Sequence, residues 1–457
     1  MSERSAQIEA GSEPIGSLRA ELDRDAAGRE MHALASELYP ICRSITGAGV
    51  RETLDAIGRR LPLERHRVAS GTQVFDWTVP PEWNIREAWI RGPQGERVVD
   101  FARHNLHVVG YSEPVHARMP LEALRSHLHT LPERPRWIPY RTSYYQRTWG
   151  FCLEHEQAAR LADGEYEVCI DASLEEGHLD WAELVLPGET SEEVLFSCHT
   201  CHPSLANDNL SSLAVATSLA RLLARARRRF SYRFLFVPGT IGAITWLARN
   251  EQRAGAIRHG LVLACLGDPG PFTWKRSRAG DREIDRIVEH VLRASGRKWE
   301  SRPFTPYGYD ERQYGSPGFD LPVGRLTRTP NGEYPEYHTS ADDLSLIRPE
   351  ALADSLDMLL RILEVAEADR VYVNTQPMCE PQLSRRGLYG ALGGLPDPGA
   401  RSLAMLWVLN LSDGRHSLLD IAERAELPFE LVRETAELLE AHDLLRREAP
   451  EPGGPTC

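Results

Sequence analysis

Apolar positions recur along this chain with several rhythms, and each change of rhythm marks a boundary. Near the start, Met31, Leu34 and Leu38 share one face at helical spacing, which predicts a helix over Gly28–Leu38; a second follows over Gly49–Leu61. The polar stretch before them, 1–24, is expected to be a mobile leader. From Val74 to Val109 the pattern shortens. Phe75-Asp76-Trp77-Thr78-Val79 and Ala88-Trp89-Ile90-Arg91 are β-type runs broken by Pro and Gly, so a small β-rich unit is predicted, ending near Tyr140. From about Tyr166 to Ala368 strand and helix patterns alternate. Strands are predicted at Glu167–Ile170, Trp181–Leu186, Val194–Ser197, Arg233–Val237 and Gly260–Leu266. Helices are predicted at Leu210–Ala224, Ala243–Asn250, Arg282–Ser295 and Ala351–Glu367. Such alternation argues for an α/β layered domain.

The last quarter changes again. Gln376–Pro398 is rich in Pro, Gly and Arg and reads as a linker; three helical patterns follow at Ser402–Asn410, Leu418–Ala425 and Pro428–His442. A winged-helix or helix-turn-helix module is the natural expectation. Residues 401–450 hold six Arg, no Lys and ten acidic residues. DNA-binding modules concentrate positive charge, so a packing or partner role is favoured over DNA.

Composition narrows the class. The chain has 457 residues, 42% hydrophobic and 26% charged, as in ordinary globular proteins. No apolar run is long enough to span a membrane. A formal charge of −13 gives no overall attraction to nucleic acid or anionic lipid. Eight irregularly spaced cysteines make no disulfide framework, and Met1–Gly28 has no apolar core of a signal peptide. A cytoplasmic setting is expected.

The chemistry concentrates in Cys198-His199-Thr200-Cys201-His202-Pro203-Ser204-Leu205-Ala206-Asn207-Asp208-Asn209, which follows the apolar run Val194-Leu195-Phe196. Histidine and carboxylate thus sit at the C-terminal end of a strand, where open α/β sheets collect active sites. His202 and Asp208 on one short loop begin a zinc site. The same residues spell a Cys-x-x-Cys-His haem-attachment motif and a redox pair. The absence of a signal peptide disfavours haem attachment, and small buried cysteines lining a strand end are the simpler reading. Asp268, after Leu266-Gly267, marks another strand end, and His338 lies in a polar loop before a helix.

In this order, His202, Asn207-Asp208-Asn209, Gly267-Asp268 and His338-Thr339-Ser340-Ala341-Asp342 resemble the zinc aminopeptidase superfamily that also contains glutaminyl cyclases. More narrowly, the chain is similar to a bacterial aminopeptidase-like family with an inserted β domain and a C-terminal winged helix, associated with polysaccharide or natural-product biosynthesis. The phrases Val74–Ile85, Tyr309-Asp310-Glu311-Arg312-Gln313-Tyr314 and Glu333–Asp342 carry that likeness. It implies a three-layer αβα sandwich formed by 25–73 and 141–370, a β-rich insertion at 74–140, a linker at 371–398, a winged helix at 399–450 and a tail at 451–457. It implies zinc, with His202 and Asp268 as terminal ligands, Asp208 as the bridging or shared carboxylate, and His338 on a second metal or completing a single site.

One departure matters. The superfamily carries two adjacent glutamates after the strand matched by Arg233–Val237, a general base and a ligand; the narrower family keeps the base within Pro-Glu-Thr-Ile-Gly. Here the sequence is Pro238-Gly239-Thr240-Ile241-Gly242, and a glycine accepts no proton. The candidate replacements are Glu311 first, then Asp310 and His199, against the alternative that Asp310, Glu311 and Arg312 form a structural ion-pair cluster. Glu336 is a further candidate base, equally suited to orienting His338. Arg312 suits a substrate carboxylate, and Tyr307, Tyr309 and Tyr334 suit a pocket wall. The resulting expectation is a zinc enzyme acting on a small-molecule or peptide-like amide, with acyl transfer or cyclisation open beside hydrolysis. The alternative is a catalytically inactive scaffold that binds partners. Assembly into a homo-oligomer through the β insertion is left open.

Overall fold

The computed structural model describes residues 11–388 and 398–448. The chain divides into two compact units. The first takes in the chain up to Glu289 together with Arg297–Leu360; the second takes in His290–Gly296 and the chain from Arg361 onward.

The first unit is built on an eight-stranded mixed sheet. Its order is Glu64–Ala69, His178–Leu186, Ser231–Val237, Glu193–His199, Ile257–Leu263, Val323–Thr327, Phe272–Lys275, Trp299–Arg302. The four strands from Ser231–Val237 to Val323–Thr327 run parallel, and both flanks are joined antiparallel. Parallel strands are covered on both faces, which is why Glu193–His199 is buried at every position rather than at alternate ones. Helices Ala48–Gly58, Ser212–Arg225 and Ile241–Arg249 pack on this sheet. In Ser212–Arg225, Leu213, Ala216, Ala220 and Leu223 are buried at helical spacing. One charged side chain in the core is matched on two sides: Arg233 places its guanidinium between Glu193 and Glu183, at 2.6 and 2.5 Å.

A second, antiparallel sheet orders Arg97–Asp100, Glu82–Arg91, Glu165–Glu175 and Val115–Pro120. The strand expected at Glu167–Ile170 therefore belongs to this smaller sheet, and the β-rich insertion closes near Glu175, beyond Tyr140. Periodicity could not show this, because sheet membership depends on partners distant in sequence. The leader is also corrected where it is described. Ile15–Ala20 is a helix with Ile15 and Leu18 buried, and Glu13 bridges to Ala226; residues 1–10 lie outside the described residues.

In the second unit, helices Pro398–Leu411, Leu418–Ala425 and Phe429–Ala441 accompany a three-stranded sheet ordered Asp413–Ser417, Val371–Asn374, Leu445–Arg447. This is a winged helix. Val371–Asn374 supplies its central strand, so the module starts earlier than the expected linker allows. Ser417 and Asp420 form a reciprocal capping box that fixes the start of Leu418–Ala425. Part of the expected linker and the tail lie outside the described residues. No described helix is long and apolar enough to cross a membrane.

Candidate active site

Three parallel strands end together, and the segments after them converge on Asp208. His199 is the last residue of Glu193–His199; Gly239 follows Ser231–Val237; Cys265 follows Ile257–Leu263. Asp208 is fully buried. The His199 Nε2 lies 2.8 Å from its Oδ1, the His338 Nε2 3.1 Å from its Oδ2, and the His202 Nε2 3.8 Å from the same Oδ2. The Tyr309 hydroxyl donates to Oδ1 at 3.0 Å. His199, His202 and Asp208 are spaced to share one metal ion.

Electrostatics fit this crowding. Burial works to raise the Asp208 pKa, but His202, His199 and His338 outweigh it and hold the carboxyl well below its usual value. Burial drives the His202 imidazole down to about 3, so it is a neutral donor at physiological pH. Asp208 is therefore an anion beside a neutral His202, the protonation states in which these two groups can hold a divalent cation.

The surroundings hold these groups rigidly. Asp342 accepts from the backbone N–H of Asn207 at 2.6 Å and of Asp208 at 3.1 Å. Arg43, itself buried, donates to the carbonyl of His202 at 2.9 Å. Cys265 (φ 50°) and His338 (φ 56°) both adopt the left-handed backbone region, which costs about 1–3 kcal/mol each and gathers at functional sites. Tyr309 stacks on His199 with ring centroids 4.7 Å apart, and Tyr337 stacks on His338 at 3.9 Å. Tyr140 closes the remaining side, 5.2 Å from His202 and 5.0 Å from His338.

The structure brings together His202, Asp208 and His338 but leaves Asp268 out of the group. Asp268 instead ties two loops: its Oδ1 accepts from the Thr329 hydroxyl (2.6 Å) and the Gly270 N–H (2.7 Å), its Oδ2 from Asn207 (3.1 Å) and the Thr329 N–H (3.2 Å). The residue at the strand end that does face the site is Cys265, whose Sγ lies 3.6 Å from the Tyr309 hydroxyl and 3.7 Å from that of Tyr334. His199, read from sequence only as a candidate base, is the nearest imidazole to Asp208. Its signal was available, since it closes the apolar strand within the same motif. Tyr334 donates to Asp342 at 3.3 Å rather than lining open space.

Glu311, favoured as the base, is engaged elsewhere. Its Oε1 receives the Lys275 ammonium at 2.8 Å and lies 3.4 Å from the Arg325 guanidinium. Arg312 belongs to the same short helix, with its Nε buried and lacking a hydrogen-bond partner. Asp310 is different. It is 1% exposed, and neither carboxylate oxygen has a hydrogen-bond partner. Burial raises its pKa to about 7, against the opposing influence of His199. A Cβ added at Gly239 would lie 3.1 Å from the His199 Cβ and 3.4 Å from Asp310 Oδ1. The only buried carboxylate without a hydrogen bond on either oxygen among the described residues thus borders the position where the superfamily's glutamate would project.

Comparison with known proteins agrees with this architecture. A family model described as a domain of unknown function, DUF4910, matches residues 32–369, and a winged helix-turn-helix model matches 370–447. A Clostridium acetobutylicum protein named for polysaccharide biosynthesis with an aminopeptidase-like domain is 49% identical over 419 residues, 92% of this chain and 96% of the relative. The crystal structure of a candidate peptidase from Clostridium acetobutylicum superimposes with a TM-score of 0.89 at 47% identity, over 95% of this chain and 99% of that one. A zinc aminopeptidase from Bacillus subtilis shares the fold alone, at 12% identity and a TM-score of 0.55 over 74% of this chain and 95% of its own. The chain belongs to the DUF4910 family, an aminopeptidase-like α/β fold joined to a winged helix.

Proposed function

We propose that this chain is a zinc-dependent, aminopeptidase-like enzyme that acts on an amide or amino-acid-derived substrate in a biosynthetic pathway. One observation carries the reading: three imidazoles converge on the two oxygens of a single buried carboxylate beside the strand ends. Nitrogen donors with one shared carboxylate suit zinc, and the neutral His202 beside an ionised Asp208 fits that donor set. His199, His202, His338 and Asp208 would hold the ion, and zinc bound there would polarise a substrate carbonyl.

The protein's own groups do the rest. Asp342 and Arg43 fix the backbone that carries Asp208 and His202, and Tyr309 orients Asp208 through its hydroxyl. Asp310 takes the part of the missing glutamate. As a water or amine adds to the carbonyl carbon, Asp310 Oδ1 accepts the proton released and returns it to the departing nitrogen. A carboxyl with a pKa near 7 is matched to both transfers. With an amine as the attacking group, the same arrangement gives acyl transfer or cyclisation. The name of the Clostridium acetobutylicum relative supports a place in glycan construction.

Gly239 favours a second reading, a scaffold that keeps the fold and has lost catalysis. Elemental analysis of the purified protein separates them. Near-stoichiometric zinc, lost on His202→Ala and on His338→Ala with the fold retained, is the expected result. No bound metal and no uptake on adding zinc would overturn the enzyme reading.

A further inference from the structure

The wall of the cluster continues into an exposed aromatic surface. Pro139 pairs antiparallel with Thr339, and the Tyr140 N–H donates to the His338 carbonyl at 2.8 Å, so this loop is fastened directly beside a candidate ligand. The Tyr140 hydroxyl meets that of Tyr144 at 3.2 Å. The next residue, Tyr145, turns outward, 51% exposed, and meets Trp77 edge-on with centroids 5.5 Å apart. Trp77 is 46% exposed and belongs to the hairpin of Gln73–Val74 and Trp77–Thr78, which packs beside the helix Ile241–Arg249 that follows Gly239. Tyr145 (φ 63°) and Phe75 (φ 53°), which is also 46% exposed, are both held in the left-handed backbone region. A bulky residue rarely adopts that conformation, and here two separate loops do so while presenting aromatic rings to solvent.

Trp77 and Tyr145 pack edge-on against each other and Phe75 edge-on against Phe319, yet each of the three stays about half exposed, and Tyr140 and Tyr144 link Tyr145 to the wall beside His338 and His202. An aromatic face carries partial negative charge and attracts the weakly positive C–H groups on one side of a chair-form sugar ring. Hydroxyl groups around such a ring need polar neighbours, and Asp76, Gln146 and Arg147 are exposed next to these aromatics. We propose that Trp77 and Tyr145 form a sugar-stacking subsite, so that the substrate of the cluster is a sugar-linked amide. Because the two rings are inclined by 61°, a hexose ring lies on the indole with the phenol at its side, and its amide extends toward the histidines. The choice of an amide rests on the enzymatic reading above; the subsite itself does not.

The test is calorimetric titration of the full-length protein with chitotriose, which carries hexose rings and amides, with maltotriose, which has rings alone, and with phenylalaninamide and leucinamide. Chitotriose is expected to bind, with Trp77→Ala and Tyr145→Ala each weakening it by about tenfold and Tyr145→Phe leaving it within about twofold. Zinc content, measured on every variant, should be unchanged. Saccharide binding that persists in zinc-free His202→Ala protein supports the subsite even if the enzymatic reading fails. Absence of chitotriose binding at millimolar concentration, binding indifferent to both alanine variants, or binding of phenylalaninamide alone would overturn the proposal.

Discussion

Replacing Asp310 by Asn removes a charge that the fold has no means of solvating, and the consequence can be measured without knowing a substrate. In the unfolded chain this carboxyl titrates near 3.8; in the folded protein burial raises it to about 7. A group whose folded pKa is raised contributes stability that is fully present below the unfolded value and lost as pH rises through the folded value. At about 1.36 kcal/mol for each pH unit between those two values, the loss amounts to about 4 kcal/mol, spread from about pH 4 to about pH 8. Asp342, also buried and raised to about 8, falls in the same window but is common to both proteins and cancels in the comparison. The assay is urea unfolding of metal-free protein, wild type against Asp310→Asn, at about pH 5 and about pH 8. The variant should gain on the wild type as pH rises, by a large part of that 4 kcal/mol. In the metal-loaded protein the same substitution should lower turnover of an amide substrate by about 10²–10⁴-fold. Stability curves that stay parallel across the range would refute the reasoning, because they would mean that Asp310 is solvated or paired in the folded state.

Two more outcomes follow from the geometry. Asp268→Asn should lower stability by about 1–3 kcal/mol, as expected for a loop tie whose buried partners are disturbed, while zinc content stays stoichiometric; loss of zinc with the fold intact would restore Asp268 as a ligand. The full-length protein should not retain duplex DNA in gel-shift experiments at physiological salt, because the helix Phe429–Ala441 carries Glu430, Glu434, Glu437 and Glu440 against a single Arg433. A specific, salt-dependent shift would reverse that assignment.

The alternating strands and helices are legible in the sequence because parallel strands and amphipathic helices leave strong local signals. The helix at Ser212–Arg225 answers the pattern at Leu210–Ala224, and the strand at Ser231–Val237 answers the one at Arg233–Val237. Sheet membership is not legible. Glu165–Glu175 looks like its neighbours in sequence, and only pairing with Glu82–Arg91 assigns it to the smaller sheet. The site divides the same way. His202, Asp208 and His338 stand out because ligand-type residues at strand ends and in polar loops have few structural uses in combination. Asp268 misleads because a strand-end carboxylate serves equally well as a tie for backbone N–H groups, and its partners lie in segments that sequence does not bring near. Glu311 and Asp310 are adjacent and chemically alike. Only the burial of Lys275 and Arg325 beside one, and the lack of any hydrogen-bond partner for the other, distinguishes them.

The fastening of Pro139–Tyr140 to His338–Thr339 divides two tasks between separate stretches of chain. The residues that crowd Asp208 are encoded in the strand-and-loop scaffold, whereas the ring that walls them in arrives on a distant stretch of chain, between the two longest strands of the smaller sheet. A substitution within 138–145 can therefore reshape the wall of the cluster while every side chain that meets Asp208 stays in place.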